Sequence, residues 1–324
     1  MEAFPSEIVV GEGEGGVRVD LYLRERLTGA TRALLRREID AGHVLRNGRP
    51  VRKGDLLAPG DRLDLRLFHI ESDSRIAPDA ASPLVVLYED PDILVVEKET
   101  GLPTLPRDSS DTRALACRLV ARRPELAAIG PPHEAGLLHR LDTETSGILV
   151  AARTREAYAG LRDQWRWKRV TKAYLALVEG EARGSFTMLV PVGHHPKSGK
   201  RMVAGGGGRS AETRFRSLSG SARVSLLVAN LREGRRHQIR VHLATAGHPI
   251  LGDRLYARDS KERAPRLMLH AWRLRFRVRP EDDPIEVACP PPADFVKAVE
   301  KALGGPGARA LDRAVRSAPA GRLP

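Results

Sequence analysis

A carboxylate lies in a polar loop of the stretch LLHRLDTETSGILV, residues 137–150. Asp142 follows Arg140 by two residues, and the turn Thr145-Ser146-Gly147 separates it from an apolar run. A loop anchored in this way can present one side chain in a cleft, and a neighbouring arginine can keep that carboxylate ionised. An Asp beside an Arg is usually a plain surface ion pair. These residues alone therefore leave both interpretations open and favour the surface pair.

A second polar segment, REGRRHQIRVHLATAG, contains the cation most suited to face an anion. Apolar residues at helical spacing, ending at Gly247, place Arg240 in the first turn of a predicted helix, where the helix dipole also favours an anion. His237 and His242 lie five residues apart, so they fall on different faces of a helix or a strand. The sequence therefore predicts no metal site here.

Apolar runs predict the sheet that must position these residues. LVVLYED and ILVVEK, separated by Asp90-Pro91-Asp92, indicate a strand pair, and helices are expected near 111–122, 154–168 and 293–303. Further strands are predicted in ILVAAR, AYLALVEG, FTMLVPV, ETRFRSL and RVSLLVANL. Strands dominate without regular crossovers, which favours an α+β domain over residues 84–303 with a large, mainly antiparallel mixed sheet.

A separate small α/β unit is predicted over residues 17–70. Two short helices are followed by a hairpin turn at Asn47-Gly48 and then by an alternating strand. Basic residues crowd its second helix and hairpin, which predicts a strongly positive face suited to a polyanion: Arg32, Arg36, Arg37, Arg46, Arg49 and Lys53. We expect a flexible leader at 1–16, a linker at 71–83 and a disordered tail at 304–324.

The composition restricts the classes of partner. Lys and Arg number 54 against 41 Asp and Glu, a formal net charge of +13, and the excess is mainly arginine, which favours nucleic acid over a membrane surface. A genome rich in G and C would also enrich arginine, so charge alone does not decide the question. No apolar run approaches the roughly 20 residues of a membrane span. Cys117 and Cys289 are the only cysteines, which indicates a reducing cytoplasm.

A glycine-rich basic segment, HHPKSGKRMVAGGGGRS, does not lie between a strand and a helix, so a phosphate cradle is not expected there. Contact with an RNA backbone and an uncommitted mobile loop remain equally open for its basic residues.

Two sets of motifs resemble known families. TRALLRREIDAGHVLRNGRPV with PGDRLDL resembles the small alpha-L RNA-binding domain first described in a ribosomal protein. HRLDTETSGILVAAR resembles the signature HRLDxxTSGLLVxA of the RluA-type RNA pseudouridine synthases. The second resemblance continues over roughly residues 83–300, in VLYEDPDILVVEKETGLPTLP, RVTKAYLALVEG, EGRRHQIRVHLATAGHPILGDRLYA and LMLHAWRLRF.

The second resemblance implies a pseudouridine synthase fold and an enzyme that converts uridine in RNA to pseudouridine without a cofactor or metal. Asp142 matches the catalytic aspartate, Tyr174 the residue that stacks on the uracil and is placed to help remove the carbon 5 proton, and Arg240 the basic partner of the aspartate. His139 and Arg140 match positions near the target nucleotide. A covalent adduct and an elimination to a glycal remain open as the route.

The chain departs from the family pattern at Glu97-Lys98-Glu99, where Asn-Lys-Pro is usual, and at Thr143-Glu144, where Lys-Asp is usual. Neither departure falls on the three residues with chemical roles, so substrate choice rather than activity is put in question. Large-subunit ribosomal RNA is the expected target, with transfer RNA as the alternative. A monomer is the default expectation.

Two other classes of function fit the sequence less well. A noncatalytic RNA-binding or ribosome-assembly factor would not need Asp142, Tyr174 and Arg240. A glycoside hydrolase could use Asp142 and Glu144, but a pair two residues apart in a turn gives no assurance that the carboxylates flank a bond.

Overall fold

Within the part of the chain that the structure describes, the strands form a four-stranded sheet close to the N-terminus, a nine-stranded sheet and a separate two-stranded hairpin. The computed structural model describes residues 6–27, 30, 32–66, 76–196, 198–257, 260 and 262–317. The predicted combination of a small α/β unit with a larger α+β unit is confirmed.

The N-terminal unit packs two helices against a small sheet. Its elements are β1 Glu7–Val9, α1 Val19–Arg26, α2 Arg32–Asp40, β2 Val44–Arg46, β3 Arg49–Pro50 and β4 Arg62–Leu65. The strand order is β1-β4-β2-β3. Asn47 and Gly48 have φ values of 52° and 79°, the left-handed geometry that a two-residue hairpin turn requires, so the predicted turn is confirmed. Thr31 precedes α2 and is a residue type that commonly caps a helix, but it lies outside the described residues.

The predicted flexible leader is wrong for residues 6–16. Strand β1 pairs antiparallel with β4, with Ile8 opposite Leu63. Val10 is buried, and its N–H donates to the carbonyl of Asp61 at 2.9 Å. The physical reason is that β4 has a free edge, and three consecutive apolar residues before the glycine-rich stretch are enough to cover it. Residues 1–5 lie outside the described part.

The nine-stranded sheet carries the candidate site. Its strands are β5 Val85–Glu89, β6 Ile93–Lys98, β7 Ser146–Ala152, β8 Thr171–Glu179, β9 Ser185–Met188, β12 Thr213–Gly220, β13 Val224–Leu231, β14 Leu269–Phe276 and β15 Ile285–Ala288. They follow the order β5-β6-β7-β14-β8-β13-β12-β9, and β15 also pairs with β14. Only the β7–β14 pair among these described strands is parallel, so the predicted mainly antiparallel sheet is confirmed.

Both faces of the sheet are covered. The remaining described elements are α3 Leu115–Arg122, a 3₁₀ helix at Pro124–Ala128, α4 Arg155–Arg166, β10 Val192–His195, β11 Ser198–Ala204, α5 Gln238–Thr245 and α6 Ala293–Arg316. Successive residues of β6 alternate between two hydrophobic clusters, with Leu94 and Val96 in one cluster and Ile93 and Val95 in the other. The first cluster includes residues of α3 and α6, and the second includes residues of α4. Residues 93–96 of β6 are therefore apolar on both faces of the sheet.

The predicted disordered tail is wrong for residues 304–316, because α6 continues to Arg316. The helix is kinked at Gly304, which has a φ of 60°, and Pro306 stands at the start of the second half, where a missing N–H is tolerated. Leu311 is 3% exposed and belongs to the main core. A short apolar face is thus enough to dock this segment. Residues 318–324 lie outside the described part.

Part of the predicted linker also packs on the larger unit. Ile76 is 6% exposed and belongs to the main core, and the N–H of Asp79 donates to the carbonyl of Cys117 at 3.0 Å. Residues 71–75 lie outside the described part of the chain, so the linker stays a prediction over that range.

Gly147 is required where the loop of Asp142 enters β7. Its φ is 120°, and a Cβ at this position would lie 2.1 Å from the carbonyl oxygen of Ala271 in the paired strand β14. We expect Gly147→Ala to lower the free energy of unfolding by about 2–5 kcal/mol, since backbone strain and overpacking add. Urea unfolding measures this loss. Gly206→Ala, where nothing lies within 4 Å, is the matched control, and equal midpoints for the two variants would contradict the prediction.

Candidate active site

The loop that carries Asp142 is fixed by backbone hydrogen bonds. Thr104 Oγ1 donates to the carbonyl of Leu141 at 2.8 Å, and the N–H of Thr145 donates to the carbonyl of Asp142 at 3.0 Å. The side chain of Asp142 remains 21% exposed. The backbone is therefore held while the carboxylate stays accessible.

Lys98 ties this loop to the turn after β6. Its side chain is fully buried, and Nζ donates to the carbonyls of Glu99 at 2.8 Å, Leu102 at 2.7 Å and Thr143 at 3.1 Å. Three acceptors match the three donors of an ammonium group. Burial lowers the pKa of Lys98 to about 7. No role for this residue was predicted from the sequence, although it is the one basic residue in the apolar run ILVVEK.

Arg240 connects two carboxylates. Its Nη1 donates to Asp142 Oδ2 at 3.1 Å, while Nε and Nη2 donate to Asp253 Oδ2 and Oδ1 at 2.7 and 2.8 Å. It lies in the first turn of α5, as the apolar spacing predicts. Burial opposes its charge, but the hydrogen bonds to Asp253 and the charge of Asp142 together raise the pKa of Arg240 above its usual range.

Asp253 orients Arg240 and was not predicted from the sequence. Its side chain is 0% exposed. Oδ1 also accepts hydrogen bonds from the N–H groups of Leu255 at 2.9 Å and Tyr256 at 3.1 Å. With both oxygens engaged, Asp253 fixes the guanidinium plane and directs one N–H toward Asp142. The cation bonded to Asp142 in the described part of the chain is thus Arg240, and not the sequence neighbour Arg140.

Tyr174 faces the same cleft from the sheet. It lies on β8 between β13 and β14, opposite Ala229 and Ala271, and is 7% exposed. Burial and the charge of Asp142 raise the pKa of Tyr174 well above its usual range, so the phenol is neutral at physiological pH. The cleft brings together four of the residues singled out in the sequence: Arg140, Asp142, Tyr174 and Arg240.

His139 lies beside this cleft rather than in its wall. Its ring stacks on Trp165 with the centroids 5.4 Å apart, and both residues line an adjoining cleft. Burial lowers the pKa of His139 to about 3, so the ring is neutral. Arg140 is exposed and lines both clefts.

The two histidines of the α5 segment have separate partners. His237 Nε2 lies 3.7 Å from Asp142 Oδ2, and its Nδ1 is 2.9 Å from the hydroxyl of Tyr256. His242 bonds Thr213 Oγ1 through Nδ1 and the carbonyl of Val190 through Nε2, both at 2.8 Å. Among the described residues, no group of three or more His, Cys, Asp or Glu side chains is arranged to hold a metal ion.

The basic residues of the N-terminal unit form an accessible set. Arg36 and Arg37 are exposed on α2, and Arg46, Arg49 and Lys53 follow on or after the β2–β3 hairpin. Arg36 pairs with Asp40 at 3.3 Å and Arg46 donates to the carbonyl of Leu56 at 2.8 Å. The side chain of Arg32 lies outside those that the structure describes.

The glycine-rich segment forms a hairpin, β10–β11, and the turn after it. Met202 of β11 is 5% exposed, and its N–H donates to the hydroxyl of Tyr256 at 2.8 Å. The segment is thus anchored near α5 rather than fully detached.

No helix in the described ranges is long and apolar enough to cross a membrane.

Comparison with known proteins places this geometry in context. A family model described as RNA pseudouridylate synthase matches residues 92–245, and an S4 domain model matches residues 17–63. An uncharacterized RNA pseudouridine synthase of Synechocystis sp. is 35% identical over 297 residues, 89% of this chain and 90% of that protein. The ribosomal large subunit pseudouridine synthase D of Xanthomonas campestris is 33% identical over 323 residues, 96% of each chain.

A solved structure has the same fold. Human RNA pseudouridylate synthase domain containing 1 superimposes with a TM-score of 0.55 at 28% sequence identity. The match covers 67% of this chain and 87% of the human chain.

Proposed function

Because the chain belongs to the RluA-type family of RNA pseudouridine synthases, we propose that it isomerises a uridine of large-subunit ribosomal RNA at the cleft of Asp142, Tyr174 and Arg240. The observation that carries the site assignment is the 3.1 Å hydrogen bond from Arg240 Nη1 to Asp142 Oδ2, with Arg240 itself held by Asp253. It supports an accessible carboxylate of fixed orientation, which chemistry at a ribose or a base requires.

The reaction breaks the bond from N1 of uracil to C1′ of the ribose and forms a bond from C5 to C1′. The C5 proton is lost and N1 gains a proton, so no atom is added overall. We assign Asp142 the first step, either as a nucleophile toward the nucleotide or in assisting elimination to a glycal. Both routes need the uridine to leave the RNA stack, and exposed Arg140 is suited to the vacated space.

Tyr174 is assigned the contact with the extruded uracil. An aromatic side chain beside the carboxylate suits stacking on a base. Removal of the C5 proton by Tyr174 would need a phenolate, which burial and the Asp142 charge both disfavour. Stacking is therefore the role that the site supports best.

The choice of large-subunit ribosomal RNA is supported by the name of the Xanthomonas relative and by the S4 domain match. Transfer RNA is the second candidate. We infer that the enzyme acts in the cytoplasm, where thiols such as Cys117 and Cys289 stay reduced.

Transcripts labelled with tritium at C5 of uridine test both the reaction and its target. We expect the purified chain to release tritium into water from a large-subunit ribosomal RNA transcript, because the C5 proton is lost. Faster release from a transfer RNA pool would favour the alternative target, and no release from either would contradict the proposed function.

The basic face of the N-terminal unit gives a separate prediction. The double variant Arg36→Glu with Arg37→Glu should weaken RNA binding about tenfold or more and lower the slope of log affinity against log salt by about 0.9 for each phosphate that is no longer neutralised. Filter binding across a KCl series measures both. Arg313→Glu with Arg316→Glu, exposed on α6, changes the net charge equally and is the control. Equal slopes in the two double variants would refute this placement of the RNA-binding face.

A further inference from the structure

A second cleft adjoins the Asp142 cleft and shares wall residues with it, among them Tyr174, Arg140 and Arg235. Lys172 lines this second cleft. It precedes Tyr174 by two residues on β8, so the two side chains point to the same face of the sheet. A ligand that reaches Tyr174 through the second cleft therefore lies next to Lys172.

Lys172 is a buried cation without a carboxylate partner among the described residues. It is 8% exposed, and Nζ donates to the backbone carbonyl of Glu233 at 2.8 Å. The carboxylate of Glu233 is engaged elsewhere, by Nζ of Lys168 and by the N–H of Glu212 at 2.7 Å. A backbone carbonyl uses one of the three donors of an ammonium group, so two donors of Lys172 remain for a ligand.

The electrostatics of this position favour an anion. Burial lowers the pKa of Lys172 to about 8; the charge of Glu233 opposes this shift, and the charges of Lys168 and Arg235 add to it. A bound anion would offset the burial. The cleft is also lined by further cations, Arg140, Arg166, Lys168, Arg232 and Arg235.

Two neutral rings in the same cleft leave hydrogen bonds unmet. His139 Nε2 and Trp165 Nε1 are buried and have no hydrogen-bond partner within the described structure. Buried polar nitrogens are normally paired, so each unpaired one requires an explanation. A ligand with several acceptor oxygens would satisfy them together with Lys172.

We propose that Lys172, with His139 and Trp165, forms a subsite for a phosphodiester of the RNA strand, next to the uridine at Tyr174. The identification of the anion as an RNA phosphate rests on the proposed function, because the cleft adjoins the site where the uridine is bound. A phosphodiester supplies the single negative charge and the acceptor oxygens that the cleft lacks. Lys172 thus fixes the backbone beside the extruded nucleotide.

The test uses Lys172→Met, which keeps an unbranched side chain only one atom shorter and removes its charge, with Lys172→Arg as the conservative variant. Binding of a large-subunit ribosomal RNA transcript is followed across a KCl series. We expect Lys172→Met to bind about 10-fold more weakly with a salt slope lower by about 0.7–0.9, the value for one neutralised phosphate, and Lys172→Arg to bind like wild type. Lys301→Met, at an exposed lysine of α6 outside this cleft, is the matched control and should leave the affinity and the salt slope unchanged.

A chemical substitution identifies the contact. In a short RNA that contains the mapped uridine, a neutral methylphosphonate at one flanking linkage should weaken wild type about 10-fold and leave Lys172→Met unchanged. If the methylphosphonate weakened RNA binding by Lys172→Met as much as it weakens binding by wild type, the proposal would be overturned. An unchanged salt slope in Lys172→Met would also overturn the proposal. This holds whether the variant keeps its affinity for RNA or loses affinity together with thermal stability.

Uridine monophosphate and inorganic phosphate serve as competitors. If either displaces the RNA from wild type at micromolar concentration and fails to do so in Lys172→Met, the subsite binds a free phosphate and the assignment to the strand is wrong. Failure of the proposed function gives a different result. Wild type would then release no tritium from any transcript, whatever the behaviour of Lys172→Met.

Discussion

Asp142→Asn is expected to abolish pseudouridine formation, with more than about a 1,000-fold loss in single-turnover rate. Asparagine keeps the shape of the side chain, and its carbonyl oxygen still accepts the hydrogen bond from Arg240 Nη1. It supplies neither the charge nor the nucleophilic oxygen that either route requires. Release of tritium from C5-labelled RNA measures the loss.

RNA binding should survive the same substitution, because Asp142 contributes no positive charge to the phosphate contacts. Glu144→Gln is the matched control, since it removes a carboxylate from the same loop and should keep nearly wild-type activity. An active Asp142→Asn variant would remove the carboxylate from the mechanism. An inactive Glu144→Gln variant would instead support a mechanism with two carboxylates, as in the glycoside hydrolase alternative that uses Asp142 and Glu144.

Arg240→Met is expected to lose both activity and stability. The substitution leaves Asp253, which is 0% exposed, without its cation, and it frees Asp142 from its fixed orientation. Breaking a buried pair on one side costs about 3–5 kcal/mol of the free energy of unfolding. Urea unfolding measures the stability and tritium release measures the rate, which should fall more than about 100-fold.

A second substitution separates the two effects. Adding Asp253→Asn to Arg240→Met removes the unpaired buried charge, so much of the stability should return while activity stays low. Arg240→Lys keeps the charge but cannot bond both carboxylates as a fork, and should be intermediate. If Arg240→Met were as active and as stable as wild type, the link between Asp253 and Asp142 would have no function.

The helix of Arg240 and the strands of the sheet were predictable because each depends on the spacing of apolar residues over one or two turns or pleats. Local spacing predicted neither partner of Arg240: the family resemblance alone implied Asp142, and nothing in the sequence implied Asp253. Asp142 and Arg240 are 98 residues apart, and nothing local to either shows that they meet. The sequence neighbour Arg140 was the only partner that spacing could suggest, and the fold turns that side chain outward instead.

Both ends of the chain show why local composition misled. Glycine and proline in GEGEGG and GGPG are typical of flexible segments. Burial of Val10 and Leu311 depends on a free strand edge and an uncovered sheet face elsewhere in the fold. A few apolar side chains suffice when such a surface is available.

The burial of two lysines was also not predicted from the sequence. Lys98 and Lys172 stand at the end and near the start of strands, where a lysine is usually exposed. The structure buries both, one against three carbonyls and the other beside the cleft. Their environment arises only when distant loops close over them, so sequence spacing holds no sign of it.

Mapping pseudouridines in cellular RNA tests the central claim most directly. Cells that lack the gene are complemented with either wild type or Asp142→Asn, and large-subunit ribosomal RNA and transfer RNA are mapped at single-nucleotide resolution. We predict that at least one pseudouridine of large-subunit ribosomal RNA disappears on deletion and returns with wild type but not with Asp142→Asn. An unchanged ribosomal RNA map on deletion, or restoration by Asp142→Asn, would contradict the account.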